Sequence, residues 1–109
     1  FKRFAKIGGE MISLVKVENT LEKLLPAEVS CCVVEVSDEK KGSYIVATVS
    51  REVNKTEILR KMLKDLPIIA LPRQFIVIKE LPMMSTGKID FRSVTRMVQK
   101  ILSTSSSDL

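Results

Sequence analysis

The stretch Val29-Ser30-Cys31-Cys32-Val33-Val34-Glu35-Val36-Ser37-Asp38-Glu39-Lys40-Lys41-Gly42-Ser43-Tyr44-Ile45-Val46-Ala47-Thr48-Val49 decides how this chain folds. Residues 29–36 and 44–49 are rich in β-branched and other strand-favouring types, which suit a pleated, half-buried surface. The polar link 37–42 ends in glycine, so the whole reads as a β-hairpin. In a strand the neighbouring Cys31 and Cys32 point to opposite faces, and a disulfide between them would need a strained ring. Both are predicted to be reduced and to act as small hydrophobes.

Helical patterns flank this hairpin. Leu14, Val17, Leu21, Leu24 and Leu25 recur at helical spacing, with Ser13 placed to cap and Pro26 ending the run. After the hairpin, Asn54 precedes Glu57 by three residues, a capping-box-like start. Ile58, Leu59, Met62, Leu63 and Leu66 then mark a second helix that stops before Pro67. Gln74-Phe75-Ile76-Val77-Ile78 is an apolar strand, read as the centre of a sheet. Asp90 caps a third helix carrying Phe91, Val94, Val98 and Ile101 on one face. At the other end, Gly8-Gly9 sits between two short apolar stretches and reads as the turn of an N-terminal hairpin. The predicted class is α+β: an N-terminal β-hairpin, then a small, mainly three-stranded sheet packed with about three helices. Residues 1–102 form the domain, and the serine-rich residues 103–109 are expected to be a flexible tail.

At 109 residues the chain is one small domain, and 45% apolar content supports a core without metal or disulfide staples. It has no histidine, so histidine acid–base chemistry is excluded and a zinc site lacks a ligand set. A net charge of +5 favours acidic partners, but one tyrosine and four phenylalanines offer few platforms for stacking bases. Nucleic acid is therefore not expected as a partner. Because the chain opens on Phe1, it is expected to be a piece of a longer protein.

Leu81-Pro82-Met83-Met84-Ser85-Thr86-Gly87-Lys88-Ile89-Asp90-Phe91 puts one lysine at the tip of a turn. Ser, Thr and Gly are turn material, and glycine takes positive φ without steric cost. It is not a phosphate-binding P-loop, since the upstream glycine and the following Ser or Thr are missing. Lys88 is free to reach into a neighbouring domain or ligand. Gly8-Gly9, alone, is a hairpin turn that also lets a backbone approach a thin ligand.

Taken together, Phe1-Lys2-Arg3-Phe4-Ala5-Lys6-Ile7-Gly8-Gly9-Glu10-Met11-Ile12-Ser13, then Val17-Glu18, then Leu81-Pro82 and Thr86-Gly87-Lys88 resemble a known pattern. It is that of the C-terminal lid domain of the adenylate-forming superfamily of acyl- and aryl-CoA synthetases, luciferases and peptide-synthetase adenylation domains. The resemblance implies that Lys2 is the hinge to an N-terminal adenylation domain of the same chain. It implies that Gly8, Gly9 and Glu10 form the loop lining the tunnel of the acceptor thiol, and that Arg3 and Lys6 contact the carrier or CoA. Lys88 becomes the catalytic lysine, reaching the carboxylate substrate and the α-phosphate of ATP.

The implied cofactors are ATP and Mg2+, held mainly by the N-terminal domain, and the phosphopantetheine of an acyl carrier protein or CoA. No metal site is expected on this chain, and the fragment alone is expected to be inactive. Leu14 stands where CoA ligases of the superfamily commonly carry proline, and Lys16-Val17-Glu18 replaces their Glu-Ile-Glu. With a lysine hinge, this looks most like the acyl-acyl-carrier-protein synthetase / 2-acylglycerophosphoethanolamine acyltransferase branch. That points to a fatty acid substrate and an acyl carrier protein partner. The implied location is cytoplasmic, with inner-membrane association of the full-length protein left open. The alternative from another class is a stand-alone basic α+β module binding an anionic ligand or nucleic acid.

Overall fold

The computed structural model describes residues 3–38, 40 and 42–107, with side chains as far as residue 103. Strands β1 (Phe4–Ile7) and β2 (Glu10–Ser13) pair antiparallel, Phe4 opposite Ser13 and Ile7 opposite Glu10. The turn between them is Gly8-Gly9, and both glycines have positive φ, 57° and 87°. Helix α1 (Leu14–Leu24) follows at once, with the Ser13 hydroxyl accepting a hydrogen bond from the Lys16 N–H at 3.2 Å. Its buried stripe is Leu14, Val17 and Leu21, and Pro26 lies just beyond its end.

Strands β3 (Cys31–Asp38) and β4 (Gly42–Val49) form the long antiparallel pair, from Cys31 opposite Val49 to Asp38 opposite Gly42. Glu39 and Lys41 of the predicted loop lie outside the described residues. Helix α2 (Lys55–Met62) starts where Asn54 Oδ1 accepts from the Glu57 N–H at 3.1 Å. It ends four residues earlier than the spacing predicts. Turn hydrogen bonds, including Leu66 N–H to Met62 O at 2.9 Å, carry the chain on to Pro67 and still bury Leu66. A short 3-10 turn, Ile68–Ala70, leads into β5 (Gln74–Val77). Helix α3 (Phe91–Ser107) closes the described chain.

One expectation is corrected. The sheet order is β3-β4-β5, with β5 parallel to β4, so β5 is an edge strand and β4 the centre. The reason is burial: residues 45–49 of β4 are buried on both faces, whereas β5 leaves Gln74 and Val77 exposed. Helix α3 continues through residue 107. Serine is only modestly below alanine as a helix former, and each residue added to an existing helix gains one hydrogen bond.

The sheet separates two apolar layers. On one face Cys31, Val33, Ile45, Ala47, Val49 and Phe75 pack with Ala5, Ile7 and Ile12 of the hairpin and with α1 and α2. On the other, Cys32, Val34, Val36 and Val46 pack with Ile78, Leu81 and Val94 and Val98 of α3. The neighbouring cysteines thus serve opposite layers, both unpaired and buried. Thr48, fully buried, donates its hydroxyl to Cys32 O at 2.7 Å.

Burial pushes each thiol from 9.0 up to about 12, with the charge of Glu18 adding to the effect. The folded protein therefore keeps two protons that the unfolded chain releases above pH 9. Stability is expected to hold below pH 9 and to fall as pH rises toward 12, by about 1.4 kcal/mol per pH unit for each thiol. Urea titrations from pH 7 to 11 check this, and Cys31→Ala/Cys32→Ala should flatten the fall.

Candidate functional site

Lys88 sits on a turn clipped shut from within. Met83 and Ile89 form an isolated antiparallel bridge. Met84 N–H donates to Lys88 O at 2.7 Å, Gly87 N–H to Met84 O at 2.9 Å, and Asp90 N–H to Pro82 O at 2.9 Å. Gly87 turns the corner at φ 90°, a conformation strained for any residue with a Cβ. Buried Leu81 and half-buried Ile89 root the turn in the α3 layer. The lysine is exposed and makes no ion pair among the described residues.

Asp90, two residues on, does not neutralise it. Its carboxylate accepts from the Ser93 hydroxyl at 2.8 Å and the Ser93 N–H at 3.3 Å, capping α3. The Ser93 hydroxyl hydrogen bond, with the backbone bond behind it, holds the Asp90 pKa below its ordinary value. The cation is thus presented by a fixed frame rather than by a loose loop.

The Gly8-Gly9 turn belongs to the other layer. A Cβ on Gly8 would stand 3.0 Å from Ile69 Cδ1, so glycine here serves both the positive φ and a close approach to the 3-10 turn. Gly9 faces open space, and Glu10 and Lys6 are exposed beside it. Hairpin tip and Lys88 turn are therefore rooted in layers on opposite faces of one sheet. Lys2, the expected hinge, lies outside the described residues.

Arg3 is engaged internally. Its side chain is only 13% exposed, with Nη2 donating to Glu18 Oε2 at 2.8 Å and Nη1 to Oε1 at 3.3 Å. Nη2 also donates to Val33 O at 2.6 Å, and Glu18 Oε2 accepts from Val33 N–H at 2.9 Å. The guanidinium lies 4.7 Å from the centre of the Phe91 ring, and its Nε is buried without a partner. Burial works against the charged guanidinium, but the Glu18 hydrogen bond and charge outweigh it and raise the pKa further. Lys6, by contrast, is exposed. Sequence reasoning missed the part played by Glu18. The signal was a carboxylate four residues after Leu14, on the stripe that α1 buries.

Comparison with known proteins places this geometry. A family model described as AMP-binding enzyme C-terminal domain matches residues 16–88, a span that ends on the turn lysine. The chain is 30% identical over 86 residues to the peroxisomal trans-cinnamate:CoA ligase of Petunia hybrida, covering 75% of this chain and 15% of that protein. It is 32% identical over 94 residues to gramicidin S synthase 2 of Brevibacillus brevis, covering 84% of this chain and 2% of the synthase. Among solved structures, an acyl-CoA synthetase of Brucella canis superposes with a TM-score of 0.76 at 28% identity, over 90% of this chain and 19% of that one. The chain thus spans a small fraction of the proteins it matches.

Removing one member of a buried ion pair strands the other, at a cost of about 3 kcal/mol. Arg3→Ala and Glu18→Ala are each expected to lose about that much in urea unfolding, since each also orphans one Val33 backbone group, the carbonyl for Arg3 and the N–H for Glu18. The double variant should lose far less than the sum. Additivity to within about 0.5 kcal/mol would show that the pair does not act as a unit.

Proposed function

This chain belongs to the AMP-binding enzyme C-terminal domain family of adenylate-forming ligases, and from that premise we propose that it is the mobile lid of an acyl-activating enzyme. The enzyme adenylates a fatty acid with ATP and passes the acyl group to a phosphopantetheine thiol, on an acyl carrier protein or CoA. One observation carries the reading: an uncompensated lysine and a glycine loop are rooted on opposite faces of one sheet.

Two half-reactions need two different environments. In the first, a carboxylate oxygen attacks the α-phosphorus of ATP, the bond to the β-phosphate oxygen breaks, and pyrophosphate leaves. Two anions must approach each other, and Lys88 offsets their repulsion by about 4 kcal/mol per contact near 4 Å at an effective dielectric of 20. In the second, the thiol sulfur attacks the acyl carbon, loses its proton and displaces AMP. Here the narrow Gly8-Gly9 backbone gives room to a thin pantetheine arm. Turning the lid about Lys2 would present one face and then the other.

ATP and Mg2+ are implied by the family, and this chain's residues fit only part of that need. Among the described residues no group of three or more His, Cys, Asp or Glu side chains is arranged to hold a metal ion. Magnesium and the nucleotide would therefore be held by the remainder of the protein, with Lys88 supplying positive charge at the reacting centre. The carrier-protein acceptor rests on the branch resemblance and on the chain's net charge of +5.

In the full-length protein, Lys88→Ala is expected to lower fatty-acid-dependent ATP–pyrophosphate exchange by about 10²–10³, the usual worth of one preorganised charge donor. Thioester formation from supplied acyl-adenylate should persist. Unchanged exchange would remove Lys88 from the adenylation step.

A further inference from the structure

Arg3 is a costly residue by the measure of stability alone. Its Nε is buried without a hydrogen-bond partner, and both charges of its pair with Glu18 are largely withdrawn from water. Apolar side chains commonly replace such a pair at equal or lower cost. What the guanidinium adds is direction. Its planar fork meets Glu18 at 2.8 Å and 3.3 Å and Val33 O at 2.6 Å, so it is fixed in orientation as well as in place.

That plate lies over the ring of Phe91, 4.7 Å from its centre. Phe91 is the first residue of α3 and stands three residues after Lys88. The residues between are held at each step. Ile89 bridges to Met83, Asp90 N–H donates to Pro82 O at 2.9 Å, and Met84 N–H donates to Lys88 O at 2.7 Å. A chain of fixed contacts therefore runs from Arg3 through Phe91 to Lys88. The Gly8-Gly9 loop is seated independently of that ring. Its strands place Ala5, Ile7 and Ile12 in the layer of α1 and α2, and Gly8 lies against Ile69, whereas Phe91 belongs to the opposite layer.

We propose that Arg3 and Phe91 are positioning residues for the adenylation half-reaction, setting where Lys88 comes to rest relative to the hinge at residue 2. The inference rests on the lid reading above. Electrostatic help to the reacting oxygens depends on placement, and an error of about 1 Å can cost about 10²-fold in rate. A groove lined by Phe4, Phe91, Arg92 and Thr95 borders the contact, so the ring has room to shift once the guanidinium is gone. Thioester transfer makes no such demand on this contact, because the glycine loop has its own anchors.

The test uses the full-length protein with Phe91→Leu, which keeps apolar packing but loses the ring, and Arg3→Met/Glu18→Gln, which removes both charges without stranding either. The kcat of ATP–pyrophosphate exchange should fall about tenfold in each, with an unchanged KM for ATP and with thioester transfer from supplied acyl-adenylate retained. Arg3→Lys, which keeps the charge but not the fork, should fall between these variants and wild type. Unchanged exchange in Phe91→Leu would overturn the proposal. So would loss of both half-reactions by the same factor, which is the mark of a merely structural role, or a loss confined to KM. Lys88→Ala, run alongside, reports separately on the lid reading: exchange lost there but normal in Phe91→Leu would sink this inference alone, and exchange unchanged in Lys88→Ala would sink the lid reading itself.

Discussion

The fold depends on how the open edge of β3 is closed. An edge strand leaves N–H and C=O groups without a strand partner. In this chain Val33 offers both outward, and the Arg3–Glu18 pair takes both, at 2.6 Å and 2.9 Å. The same guanidinium lies on the ring of Phe91 at the start of α3, and the Arg3 carbonyl accepts from the Leu14 N–H at 2.9 Å. One ion pair thus joins the entry of the chain, α1, the sheet edge and the helix on the far face. Two half-buried charges are costly to desolvate, and what offsets that cost is the complete use of the carboxylate by an arginine fork and a backbone donor.

That pair ties the two layers together at one edge of the sheet. The hairpin tip is rooted with α1 and α2, and the lysine turn with α3. The clamp lies where these layers meet, one residue after the expected hinge. On the proposed reading, a rotation at residue 2 would be carried undiminished to both motifs, since the chain is pinned from residue 3 on. A soft junction would let the hairpin turn without the lysine, and alternation between half-reactions would blur.

Much of this was legible in the sequence because local chemistry and tertiary context agree. Ser13, Asn54 and Asp90 cap the helices they were expected to cap, and the cysteine pair alternates as a strand requires. The Lys88 turn was legible because Gly87 and its polar neighbours have no better place than a corner. The misreadings share a cause. The place of β5 at the edge depends on how deeply its neighbours are buried, which a short apolar run does not reveal. The fate of Arg3 was hidden because a surface contact and a buried pair look alike until Glu18, 15 residues away, is brought beside it.

Amide hydrogen exchange on the full-length protein tests the central claim most directly, that one rigid lid offers two faces in turn. With ATP and fatty acid present, exchange should slow in residues 83–90 while the hairpin tip stays unprotected. With a non-reactive acyl-adenylate analogue and a thiol acceptor, protection should pass to residues 7–11 and leave the lysine turn. Simultaneous protection of both segments in either state, or protection of neither, would contradict the account.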